Sequence, residues 1–166
     1  MDDEKTSLDA SGSEGESHLK EQGERLYLAL RLRERGEVDK AAEVLRGILK
    51  VEPRLAEPRL ELSRILLDTG QLEEALGQAE EATRILESGG QWTDDIPEKV
   101  VRSMAFGLLG EILRRQADAD EVVFGDPEAW SALLAASEAA FARARELDPE
   151  NVHASYWAGG SDRPTE

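Results

Sequence analysis

Few residues in this chain are of types that do chemistry by themselves, and their spacing decides what they can do. There are two histidines, His18 and His153, near opposite ends of the sequence. Neither stands beside a candidate serine nucleophile or a carboxylate pair on a defined element, so neither a hydrolytic triad nor a metal site is outlined. No cysteine is present, which removes disulfides, thiolate ligands and a Cys nucleophile. No glycine-rich loop runs into a Lys-Ser or Lys-Thr pair that would cradle phosphate. The acidic pairs Glu73-Glu74 and Glu80-Glu81 lack the alternating oxygen ligands of a calcium loop and read as a solvated helix face. The expectation is a protein without catalytic residues, metal or cofactor.

Composition points the same way. The 166 residues carry a formal net charge of −16, with 40% hydrophobic and 34% charged residues. So acidic a surface is repelled by nucleic-acid phosphates and by anionic lipid, and it favours encounters with basic partners. Leu and Ala dominate the apolar set while β-branched and aromatic residues are sparse, which favours helix over sheet. No run reaches the roughly 18 apolar residues of a membrane helix. The segment Met1 to Lys5 has neither the basic nor the apolar region of a signal peptide, so a soluble, cytoplasmic protein is expected.

The elements come in a repeating order. Residues 1–17 hold six acidic residues and one Lys among Ser and Gly, with no apolar period, and read as a disordered acidic tail. Such a tail serves either as a solubilising leader or as an interaction segment. Beyond it, Leu28, Ala29 and Leu32 form one helical stripe, Gly36 ends it, and Ala41, Leu45, Ile48 and Leu49 form the next before Pro53. The plan then recurs with Leu62, Ile65 and Leu66, a stop at Gly70, and Leu72, Ala75, Leu76, Ala79 and Ala82. Gly36 and Gly70 are 34 residues apart, as are Ala41 and Ala75. That period marks a stacked helix–turn–helix array.

These positions resemble the tetratricopeptide repeat family, whose units pair Leu with a small residue, close the turn with Gly, open the second helix with Ala and often end on Pro. The match carries Leu28-Ala29, Gly36, Ala41 and Pro53 in one unit and Leu62-Ser63, Gly70 and Ala75 in the next. Ala29, Ser63 and Gly110 are the small positions where neighbouring helices approach closely. The resemblance implies an all-α fold, a right-handed α-solenoid of antiparallel helix pairs. The repeats would cover about 22–55, 56–88 and 96–150, within a helical domain over 18–159. The third has a linker at its entry and an inserted segment at 118–132, with Ala117 where the turn glycine belongs. Asp126-Pro127 then restarts the helix as cap and first residue. A short capping segment covers 151–159, and 160–166 is a polar tail.

The same resemblance implies a concave groove lined by the first helix of each unit, which takes a peptide or helix of another protein. By position it would be lined by Leu26, Leu30, Arg33 and Glu34 in the first unit. Glu57, Leu60, Arg64, Leu67 and Asp68 follow from the second, and Met104, Glu111, Arg114 and Arg115 from the third. The arginines either grip partner carboxylates through paired hydrogen bonds or bind the neighbouring acids of the groove itself. The leucines and Met104 would take apolar anchors. The clamp variant of the family, which holds chaperone C-termini, places Asn where Leu30, Arg64 and Glu111 stand, so that activity is disfavoured. An adaptor or chaperone-like scaffold is the function implied. The alternative is an assembly subunit that forms a homo-oligomer through Tyr156 and Trp157 at an incompletely capped end. Trp92, Trp130 and Trp157 all lie outside the regular units, where they are expected either to pin irregular segments onto the solenoid or to stand as exposed anchors for a partner or a second copy.

Overall fold

Two glycines set the frame. Gly36 and Gly70 hold φ of 81° and 79°, the left-handed conformation that a side chain would strain. At each, the glycine N–H and the next N–H reach back to two carbonyls of the preceding helix: Arg33 and Leu32 at the first, Leu67 and Leu66 at the second. This is the Schellman closure, which satisfies carbonyls that a helix end leaves open. The computed structural model describes residues 7–90, 96–152 and 154, with side chains from residue 14 onward.

The described elements are α1 (Ser7–Glu34), α2 (Val38–Val51), α3 (Ala56–Asp68), α4 (Leu72–Glu87), α5 (Glu98–Ala117), α6 (Asp120–Val123) and α7 (Pro127–Leu147). All are helical, so the expected all-α class holds. The chain divides into two compact units at Pro53 and Arg54.

In the first unit α1 packs on α2. Helix α2 buries Ala41, Ala42, Leu45 and Ile48 on one face, as its spacing requires. On α1, Ala29 is buried, but Leu28 is 50% exposed and does not join the core stripe expected of it. Within this unit residues 27 and 28 are exposed, and Gln22 and Ala29, two turns apart, form the buried edge instead. Helix α1 begins at Ser7, inside the stretch that composition assigns to an acidic tail.

In the second unit α3 pairs with α4, α4 packs on α5, and α5 pairs with α7. Ala56, Ile85, Leu86, Val101 and Ala105 form one core cluster, with Leu60 packed against it. Phe141, Ala144 and Ala154 form another with Phe106. The small positions work as spacing elements. A Cβ at Gly110 would lie 2.8 Å from the Phe141 ring, closer than atoms pack, so α5 and α7 meet there only because residue 110 is glycine. Ser63 is buried and donates from Oγ to the Ala75 carbonyl at 2.7 Å, joining α3 to α4. Asp126 caps α7, its Oδ1 accepting from Ala129 N at 3.0 Å with Pro127 as first helical residue. The inserted segment is ordered around α6. Asp94 and Asp95, the other cap candidates, lie outside the described residues, as does Trp92; helix α5 starts directly after Pro97.

Candidate groove between α3 and α5

Helix α3 presents Leu60, Glu61 and Arg64 on successive turns, and α5 presents Met104, Gly107 and Leu108. Residues three and four apart share a helical face, so both sets look toward one another where α3 and α5 meet. Together with Asn151 they line an open cavity of about 190 Å³. Met104 stands at its mouth, 52% exposed, an unbranched and polarisable side chain that adapts to different apolar surfaces.

Arg64, in the cavity wall, is held by a buried acid behind it. Glu111 is only 6% exposed, and its Oε2 accepts from Arg64 Nη1 at 2.9 Å. Arg115 Nη2 approaches Glu111 Oε1 at 3.9 Å. A carboxylate taken out of water loses hydration, and charged donors must replace it. Arg64 therefore belongs first to Glu111. This favours the reading in which groove arginines bind their own acids. Arg114 follows the same rule, with Nε 3.4 Å from Asp118 one turn on.

Asn151 completes the cavity from beyond α7. Its Nδ2 donates to Ser103 Oγ at 2.8 Å, and its Oδ1 accepts from Ala154 N at 3.1 Å. It thus ties the chain after α7 to α5 and caps a further helical turn.

Of the residues the sequence suggests, the structure brings Leu60, Arg64 and Met104 to one cavity, with Glu111 beneath Arg64. Leu67 is a correction: it is 0% exposed and accepts no outside anchor. Helix α3 buries Leu62, Ile65, Leu66 and Leu67 together, so its apolar face is wider than one stripe and takes in the position assigned to the groove. Glu111 likewise is interior, not a surface contact. Glu57 is half-buried, and Asp68 is exposed at the end of α3. Leu26, Leu30 and Arg33 share a half-buried face of α1 in the first unit, while Glu34 is exposed and 3.9 Å from Arg31. Tyr156 and Trp157 lie outside the described residues. Glu61, Gly107, Leu108 and Asn151 escape the sequence reading. A glycine inside a helix was a signal for the second, whereas Asn151 is distant in sequence and has no periodic pattern.

Two carboxyls have their acidity shifted by a cation on the same helix face. The Lys40 ammonium, hydrogen-bonded to Glu37, holds that carboxyl below its usual range, and Arg84 does the same for Glu81. Among the described residues no cluster of three His, Asp or Glu is placed to hold a metal, and no helix is long and apolar enough to cross a membrane.

No curated protein matches the chain. Residues 32–77 match the family model of the tetratricopeptide repeat. That span holds Gly36, all of α2 and α3, Gly70 and Ala75, the positions whose geometry is described above. Over residues 32–77 the chain is therefore similar to the tetratricopeptide repeat, and this segment carries the two left-handed glycine turns and the buried alanines described above.

Proposed function

We propose that this protein is a non-catalytic adaptor or chaperone-like scaffold that holds a peptide segment of another protein in the α3–α5 groove. Tetratricopeptide repeats generally mediate contacts between proteins and are typically non-catalytic. The observation that carries the reading is the placement of Met104, half exposed in one cavity with Leu60, Gly107 and an Arg64 already bonded to Glu111. An apolar side chain of a partner would cover Met104 and Leu60 at little cost in ordering, because the cavity is already formed. Arg64 keeps its bond to Glu111 and turns its remaining donors to the partner backbone or a carboxylate. Specificity in this scheme rests on shape and one apolar anchor, not on a row of free arginines.

Met104 also supplies the test, since the chain has two methionines and the other is Met1. Linear peptides selected on the full chain by display are added to protein carrying 13C-methyl methionine. The Met104 methyl signal is expected to shift with each bound peptide, and Met104→Glu is expected to lower affinity about tenfold or more, as loss of a central apolar anchor does. Peptides that bind without moving the Met104 signal would place the binding surface elsewhere.

A further inference from the structure

A second apolar surface lies at the corner between α6 and α7, outside the groove. Its position follows from the register of α5 against α7. Ser103 Oγ donates to the Ala144 carbonyl at 2.6 Å, and Ser137 Oγ donates to the Gly110 carbonyl at 2.8 Å. The partners are seven residues apart on each helix, so the antiparallel alignment brings the last residue of α5, Ala117, level with Trp130. The start of α7 overhangs the end of its partner, and no residue of α7 before Ser137 is buried. On this corner Phe124 is 84% exposed and Trp130 41%, with Val123 also exposed.

The corner is held in shape. Asp126 caps α7, its N–H donates to the Val122 carbonyl at 3.1 Å, and a Cβ at Gly125 would collide with the Glu121 carbonyl oxygen. Phe124 is thus displayed on a fixed turn, and Trp130 on the first turns of the helix that follows it. Exposed aromatic side chains so placed need little further ordering when they are covered, as in binding hot spots.

Charge identifies what covers them. From Gln116 to Ala142 the sequence has six acidic residues and neither Lys nor Arg. Asp118 is taken by Arg114 and Asp126 by the cap. Asp120, Glu121, Glu128 and Glu138 are exposed and have no basic partner among the described residues. A second copy would bring this acidic frame against itself on a molecule of net charge −16, and like charges at an interface oppose docking. The complement is apolar at its centre and basic around it. We propose that the α6–α7 corner docks a basic amphipathic segment of another protein, whose apolar side chains cover Phe124 and Trp130 while its Lys or Arg residues face Asp120, Glu121 and Glu128. This surface is separate from the groove and stands or falls independently of it.

The test uses two labelled amphipathic helical peptides with the same apolar face, one of Leu and Lys and one of Leu and Glu, titrated with the full chain by fluorescence anisotropy. The Leu–Lys peptide is expected to bind and the Leu–Glu peptide not to. Phe124→Ser with Trp130→Ser is expected to weaken binding about tenfold or more, and Met104→Ser to leave it unchanged. Phe124→Ser alone, at a side chain almost wholly in solvent, supplies the comparison if the double variant changes the helical circular dichroism. Three results would overturn the proposal. Equal binding by the corner variants would show only general attraction of cations to an acidic chain. Loss with Met104→Ser would put the peptide in the groove. A wild-type dimer in light scattering that Phe124→Ser dissolves would make the corner an interface between copies.

Discussion

Glu111 lies buried behind Arg64 of the α3–α5 groove, between two guanidinium groups, and this arrangement governs how Arg64 and Arg115 behave. A buried carboxylate is tolerable because Arg64 donates to it directly and Arg115 stands nearby. Replacing Arg64 by Leu withdraws the main compensation while the acid stays interior. The cost should be about 1–3 kcal/mol, below that of a fully buried ion pair because Arg64 is one-third exposed. Replacing both by Leu removes the buried charge together with its donor. Urea unfolding of R64L, E111L and the double variant should therefore give a coupling of about 1 kcal/mol or more, with the double variant less impaired than the two single effects added. Additive effects would show that the pair is not the interaction that matters at this site. Charge reversal of Arg64 is consequently a test of stability before it is a test of binding.

Between elements, distance of approach is the controlling variable. Gly110 lets the Phe141 ring into van der Waals contact with the backbone of α5, and the added methyl of Gly110→Ala would sit 2.8 Å from that ring. Overpacking of this kind costs about 1–3 kcal/mol, which outweighs the better helix propensity of Ala. Gly77, inside α4, has open space where a methyl group would project, with nothing within 4 Å. Gly77→Ala should therefore stabilise by about 0.5–1 kcal/mol. Thermal melts of the two variants should move in opposite directions; a rise for Gly110→Ala would mean that α5 and α7 separate freely. The sequence already marks residue 110 by matching a small-residue position, and marks Asp126-Pro127 as a helix start. Leu28 and Leu67 show where such reading stops. Their periodicity assigns a face, but whether that face is covered depends on how many neighbours the helix has. Within the first unit Leu28 lies on a helix that packs on α2 and is left half exposed, whereas Leu67 lies on a helix that packs on α4 and α5 and is wholly buried.

For the molecule as a whole, the excess of acidic over basic residues acts across distances that no single pair controls. There are 36 acidic and 20 basic side chains. Many of the ion pairs join exposed neighbours three or four residues apart, such as Arg31–Glu34 and Arg143–Glu146. Such pairs contribute little, and salt weakens them, but salt also screens the repulsion of the net charge. Repulsion should dominate, so the melting temperature is expected to rise when ionic strength goes from low to physiological. A flat or falling melting temperature would show that local pairing outweighs it.

The 34-residue spacing, the glycine stops and the Leu–small pairs were sufficient to specify helical hairpins of the tetratricopeptide type. Each of these signals is local: a left-handed turn needs glycine, a helix start needs a cap, and a buried face needs apolar residues at a helical period. Contacts between positions distant in sequence were settled by the fold alone. It set Arg64 against Glu111 across 47 residues, bound Asn151 to Ser103 across 48, and left Phe124 in solvent beyond the end of α5. Periodicity carries no information about which helix will lie opposite, how far one overhangs another, or where a buried charge finds its donor. Those outcomes follow from close packing of several helices at once, and they decide which of the residues marked by the sequence remain available to a partner.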